Sequence, residues 1–154
     1  MWFYRNYLYI CPVQNGMDEY KSNKAVVSKF GNSIVLIEYK EDGTTCESDL
    51  VDIEKSVVTA LGNQPYFSIS VLPANFRHFN EEAKNFIIDE NKCLKNRMMD
   101  TYVTNSFAKR IELELFFQLY KPTRKTKIFN SINKALTYLS NVKKLETENK
   151  NVLV

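Results

Sequence analysis

Histidine occurs once in this chain, at His78. A zinc site built on several imidazoles is therefore excluded, and any triad chemistry would have to pass through that single ring. The three cysteines, Cys11, Cys46 and Cys93, form no CxxC pair, which removes the zinc ribbon and the thioredoxin-type redox motif. Their odd number and irregular spacing suit a reducing compartment. Four glycines in 154 residues leave no Rossmann or P-loop signature after any strand. No stretch approaches the roughly 18 apolar residues that a membrane span needs. The aromatic N-terminus, Met1 to Pro12, is broken by Arg5 and Asn6 and has no clean small-residue cleavage site. These absences predict a cytoplasmic protein with no cofactor, no metal and no transmembrane segment.

What remains is ordinary globular material, 44% hydrophobic and 25% charged. The length predicts one domain, residues 17–145, followed by a polar, frayed tail at 146–154. Residues 1–16 differ in character: they are either an over-extended start, with Met17 as the biological initiator, or an extra strand or arm that packs its aromatics on a partner. The net charge of +3 is unevenly placed. Residues 1–77 carry seven Lys and Arg against nine Asp and Glu, and residues 78–154 carry fourteen against nine. Such asymmetry can mark an anion-binding face or arise from scattered solvated lysines.

Hydrophobic periodicity sets the element order. Ala25–Ser28 and Ser33–Lys40 flank Phe30-Gly31-Asn32 and read as a hairpin. Thr44 and Glu47 have capping-box spacing, and Leu50, Ile53, Val57, Ala60 and Leu61 then follow at helical intervals up to Gly62. Tyr66–Leu72 is a strand stopped by Pro73. Asn80 caps a helix through Ala83, Phe86, Ile87 and Leu94, with Glu81 and Glu82 complementing its dipole. Thr101–Val103 is a short strand, Asn105 or Ser106 caps a helix reaching Tyr120, and Thr126–Phe129 is the last strand. Asn130 or Ser131 caps a final helix with Ile132, Ala135, Leu136, Leu139 and Val142 on one face. The order β-β-α-β-α-β-α-β-α predicts an α/β fold: a mixed, mostly parallel sheet with an N-terminal hairpin and about four helices.

Several stretches carry a resemblance. They are Val103-Thr104-Asn105-Ser106-Phe107-Ala108-Lys109-Arg110, then Phe116–Arg124, Ile128-Phe129 and Ala135-Leu136-Thr137-Tyr138-Leu139. This pattern resembles a group of small bacterial proteins of SpoIIAA-like, or STAS-like, fold, over roughly Met17 to Asn141. The resemblance implies a regulatory or protein-interaction module with no enzymatic role. In anti-sigma-factor antagonists of that fold, a serine opening the helix after the third main strand is phosphorylated. Here Asn80 holds the cap, and no serine or threonine lies between Ser70 and Thr101. The phospho-switch is not carried over.

The helix from Ser106 to Tyr120 is apolar nearly all round, which requires burial on two sides. Phe107, Ala108, Ile111, Leu115 and Leu119 share one arc, enough to cover the sheet. Leu113, Phe116, Phe117 and Tyr120 form a second arc. That arc predicts burial under a neighbouring helix or under the aromatic N-terminal block, a homodimer contact, or a site for a small apolar or lipid-like ligand. Lys121, Arg124, Lys125 and Lys127 give four positive charges in seven residues. Lys121, Arg124 and Lys125 are the candidate anion-binding residues, although edge lysines also discourage strand pairing, and no recognition motif supports nucleic acid. A hydrolase using His78 with Cys46 or Cys93 is the remaining alternative. Glu112 and Glu114, two apart on a helix, cannot converge on one substrate.

Overall fold

The computed structural model describes residues 19–40, 43–89 and 96–152. The segment 1–16, Cys93 and Leu94 lie outside the described residues. Strands β1 (Glu19–Lys21), β2 (Ala25–Phe30), β3 (Ile34–Tyr39), β4 (Tyr66–Val71), β5 (Arg97–Val103) and β6 (Lys125–Phe129) form a single sheet in sequential order. The first three pair antiparallel and the last four run parallel, so the mixed, mostly parallel sheet matches the sequence expectation. β1, which the hydrophobic pattern does not reveal, is three residues long and adds one edge strand.

Among the described residues four helices complete the fold: α1 (Glu47–Leu61), α2 (Glu81–Ile88), α3 (Phe107–Tyr120) and α4 (Ile132–Val152). The first three are crossovers between neighbouring parallel strands. Strands added in one direction by crossovers of one hand place all their helices on one face. Accordingly, one core joins Val35, Ile37 and Tyr102 of the sheet to Ile53 and Val57 of α1, Phe86 of α2 and Leu113 of α3. The opposite face holds a smaller core, in which Leu36, Ile69 and Val103 meet Ala135 and Leu139 of α4.

The local chemistry explains most boundaries. Asn80 caps α2, its Oδ1 accepting from the Ala83 amide at 2.9 Å. Gly62 ends α1 at φ 74°, a conformation glycine adopts without steric cost. Two boundaries differ from the sequence reading. α1 starts after Cys46 rather than Thr44, because the Cys46 amide donates to Asp49 Oδ2 at 2.9 Å and Thr45 is drawn into a bridge with Phe79. α4 continues through the expected tail to Val152. Glu146 and Lys150 are straight-chain residues that lose little rotamer freedom in a helix.

Two outcomes follow. Asn80→Ala should cost about 1 kcal/mol of unfolding free energy by urea denaturation; an unchanged midpoint would contradict the cap. Glu38 is half-buried on the α4 side of β3, where burial and then the nearby Glu19 hold its carboxyl above the usual carboxylate range. The fold therefore favours the protonated form, and stability falls as pH rises through the raised pKa. Glu38→Gln should raise the melting temperature at pH 7, the gain vanishing once pH drops below the ordinary carboxylate value; a lower melting temperature at pH 7 would refute this.

Candidate functional site

The helix singled out by sequence is where the structure departs most from expectation. Leu113 is the buried residue of α3, 4% exposed, and Phe116 and Phe117 pack with it on the larger core. The Phe117 ring lies 5.1 Å from that of Tyr102, and Phe116 lies 5.0 Å from both Phe117 and Tyr120. The arc expected to cover the sheet faces water instead: Phe107 is 78% exposed, Ile111 39%, Leu115 54% and Leu119 77%. The two arcs are exchanged. The ring-rich arc packs over Tyr102 of β5 and Ile128 of β6, and its one cation, Lys109, has a partner, its Nζ donating to the Arg77 carbonyl at 2.5 Å. Ala108 is exposed with the outer arc, and Tyr120 is 41% exposed at the helix end. A sequence signal for this orientation exists in Gln118, which falls inside the outer arc at 100° per residue.

Beneath the helices lies a charge network that periodicity does not predict. Glu54 of α1, Arg97 and Asp100 of β5, and Arg124 just before β6 have side chains 4%, 6%, 2% and 8% exposed. Arg97 donates through Nη2 to Glu54, through Nη1 to Asp100 Oδ1 at 3.2 Å, and through Nε to the Tyr66 hydroxyl at 3.2 Å. Tyr66 donates in turn to the Glu54 carboxylate, with Oε2 at 2.7 Å. Asp100 also accepts from Ser68 Oγ at 2.9 Å and Arg124 Nε at 3.1 Å, and Arg124 Nη2 reaches the Ile87 carbonyl at the end of α2. Burial opposes the charge on Arg97, but Tyr66, Glu54 and Asp100 outweigh it and hold the guanidinium protonated. Burial pushes the Tyr66 hydroxyl well above its usual range despite Arg97 beside it, so it serves as a neutral donor.

A bulge makes this possible. Tyr66 pairs with Arg97, but the next pair is Phe67 with Met99, so Met98 is the extra residue and stands 49% exposed. On a regular strand, residues three apart point to opposite faces. The bulge sets Arg97 and Asp100 on the same face, toward α1. Two signals could have located the network. Glu54 falls within the apolar stripe of Leu50, Ile53, Val57 and Leu61, and Ser68 and Ser70 give β4 one polar face.

The other candidates are dispersed. Arg124 belongs to the buried network, while Lys121 and Lys125 are exposed. Lys121 is the left-handed C-cap of α3, at φ 44°. His78 is exposed beyond the aromatic cluster of Tyr39, Phe76 and Phe79, and its carbonyl accepts from the Thr45 amide at 3.1 Å. The Cys46 thiol donates to Asp49 Oδ2 at 3.1 Å and lies 3.0 Å from Ser48 Oγ. Among the described residues there is no group of three or more His, Cys, Asp or Glu suited to a metal. An open groove of about 490 Å³ runs between Phe30, Gly31 and Ile34 and the Ser140, Lys143, Lys144 and Thr147 side of α4. A cleft of about 60 Å³ lies at the C-terminal ends of β4 and β5, between Val71, Thr104 and Ser131.

A family model, described as a domain of unknown function (DUF7793), matches residues 28–143, from within β2 to the middle of α4. The chain belongs to the DUF7793 family. No curated protein and no solved structure matches it. The match covers the smaller core, the charge network, the whole of α3 and all of the larger core except Ala25 and Val27. No helix among the described residues is long and apolar enough to cross a membrane.

The network predicts a thermodynamic signature. Arg97→Met leaves Glu54 buried without its cation and should cost about 3–5 kcal/mol by chemical denaturation. The double variant Arg97→Met/Glu54→Leu removes both charges and should recover much of that loss, a coupling that a double-mutant cycle measures. Strictly additive losses would refute the coupling.

Proposed function

We propose that this DUF7793 chain is a non-enzymatic regulatory or interaction module of STAS-like fold that self-associates in the cytoplasm through the solvent face of α3. The observation that carries the reading is the ladder Phe107, Ile111, Leu115 and Leu119, exposed by 78%, 39%, 54% and 77%. Spaced by four residues, these side chains form one continuous ridge about 18 Å long at 1.5 Å per residue. Scattered surface apolar residues are normal, but a contiguous patch marks an association surface. The outer face of α1 shows the ordinary alternative: Ser48, Asp52, Lys55 and Thr59 point to water there.

The STAS-like assignment rests on the element order and on the motifs from Val103 to Leu139. The missing serine in the loop before α2 argues for a constitutive module rather than a phosphorylation switch. The apolar-ligand alternative has less support, because the larger groove is open and the smaller cleft holds little more than a water or two.

Leu115→Asp places a charge at the centre of the ladder without touching either core. Sedimentation or native mass spectrometry should show a wild-type dimer and a variant whose association is weakened by about 2 kcal/mol or more, the size of an interface hot spot. The melting temperature of the dissociated chain should be unchanged. A wild-type monomer, or a variant that dimerises as wild type does, would sink the proposal.

A further inference from the structure

The order of charges along α3 runs against the preferences of an isolated helix. Its first turn has no acidic residue and its last turn no basic one. Lys109 and Arg110 lie near the N-terminus, where the helix dipole favours anions, and Glu112 and Glu114 follow them. Arg110 Nε and Glu114 Oε1 pair at 2.8 Å across i,i+4, with side chains 51% and 39% exposed. Basic before acidic is the weaker orientation of such a pair. Lys109 is accounted for by Arg77 and Glu112, but the exposed Arg110–Glu114 pair stabilises its own helix only weakly and is open to a change of partner.

A second copy offers Arg110 and Glu114 a second set of partners. At 100° per residue, Arg110 and Glu114 border the apolar ladder on the same flank. A two-fold axis crossing the helix level with Leu113 sets Phe107 against the partner's Leu119 and Ile111 against the partner's Leu115. A two-fold axis lying in the plane between two antiparallel helices brings like flanks together. Arg110 then meets the partner's Glu114, offset by only about 3 Å along the axis at 1.5 Å per residue. The symmetry makes the contact twice, as an isologous interface requires. On the other flank, Glu112 is already held by Lys109 at 2.7 Å, which limits repulsion between the two copies of Glu112.

Building on the proposed self-association, we infer that two copies pair antiparallel along α3 and that reciprocal Arg110–Glu114 ion pairs between chains fix its orientation and register. The ladder supplies the affinity, and the charges select which way the helices run.

Two single charge reversals test this. Arg110→Glu gives a chain with two acidic residues on the flank, and Glu114→Arg gives one with two basic residues. Neither contains a complementary partner within itself. Each alone should dimerise at least tenfold more weakly than wild type by sedimentation equilibrium. Mixed in equal amounts, they should form the heterodimer in native mass spectrometry, because both interchain pairs are restored. Circular dichroism melting of each variant checks that α3 is intact.

A wild-type monomer overturns both the self-association and the pairing. A wild-type dimer whose single variants bind as wild type overturns the antiparallel arrangement alone. Parallel helices bring unlike flanks together and set Glu114 near the partner's Glu112, so Glu114→Arg would not weaken a parallel dimer. Two weakened variants that stay apart on mixing overturn it as well, by assigning the charges an intrachain role.

Discussion

Arg97 is the point through which the larger core is organised. A guanidinium placed 6% exposed must be matched by anions, since an unpaired charge at that depth costs several kcal/mol. The fold meets this requirement with Glu54 from α1, Asp100 from its own strand and the Tyr66 hydroxyl from β4. Asp100 then binds Arg124, which reaches the end of α2. Ion pairs and hydrogen bonds together thus span two helices, two strands and the entry to a third. Apolar contacts tolerate sliding, whereas directional hydrogen bonds between charged groups do not. The network sets where α1 sits over β4 and β5, and with it the shape of the space that the other helices fill.

That shape accounts for the position of α3. The three crossover helices lie side by side on one face because the strands are added in a single direction. α3 is the last of the row, over the edge of the sheet that ends in β6. The gap there is lined by Tyr102 and Ile128, and it accepts Leu113, Phe116 and Phe117. The remaining apolar residues of the helix are left on the outside. An exposed ladder of this kind depends on burial by another surface to contribute favourably. The four-residue spacing gives that surface a ridge, and the flanking charges give it a direction.

Much of the architecture was legible along the chain. The hairpin signal at Gly31-Asn32, the cap at Asn80, the stop at Gly62 and the apolar stripe of α4 each rest on local chemistry, and each appears where expected. Strand β5 was only half visible. Thr101–Val103 has strand composition, but Arg97 and Asp100 look like surface residues, and only the bulge at Met98 turns Arg97 to the face of Asp100. Sequence spacing alone assigns them to opposite faces.

The α3 helix divides the two sources of information most clearly. The sequence by itself determines that the helix has two apolar arcs and needs cover on both, because apolar residues recur around its whole circumference. It also determines the order of charges, basic before acidic, on the flank between the arcs. Which arc turns inward was decided by the tertiary structure. Beneath the helix the sheet presents Tyr102 and Ile128, and Leu113, Phe116 and Phe117 pack against them. Periodicity reports the angle between side chains around one helix, and it holds no record of the shape of the surface against which that helix packs.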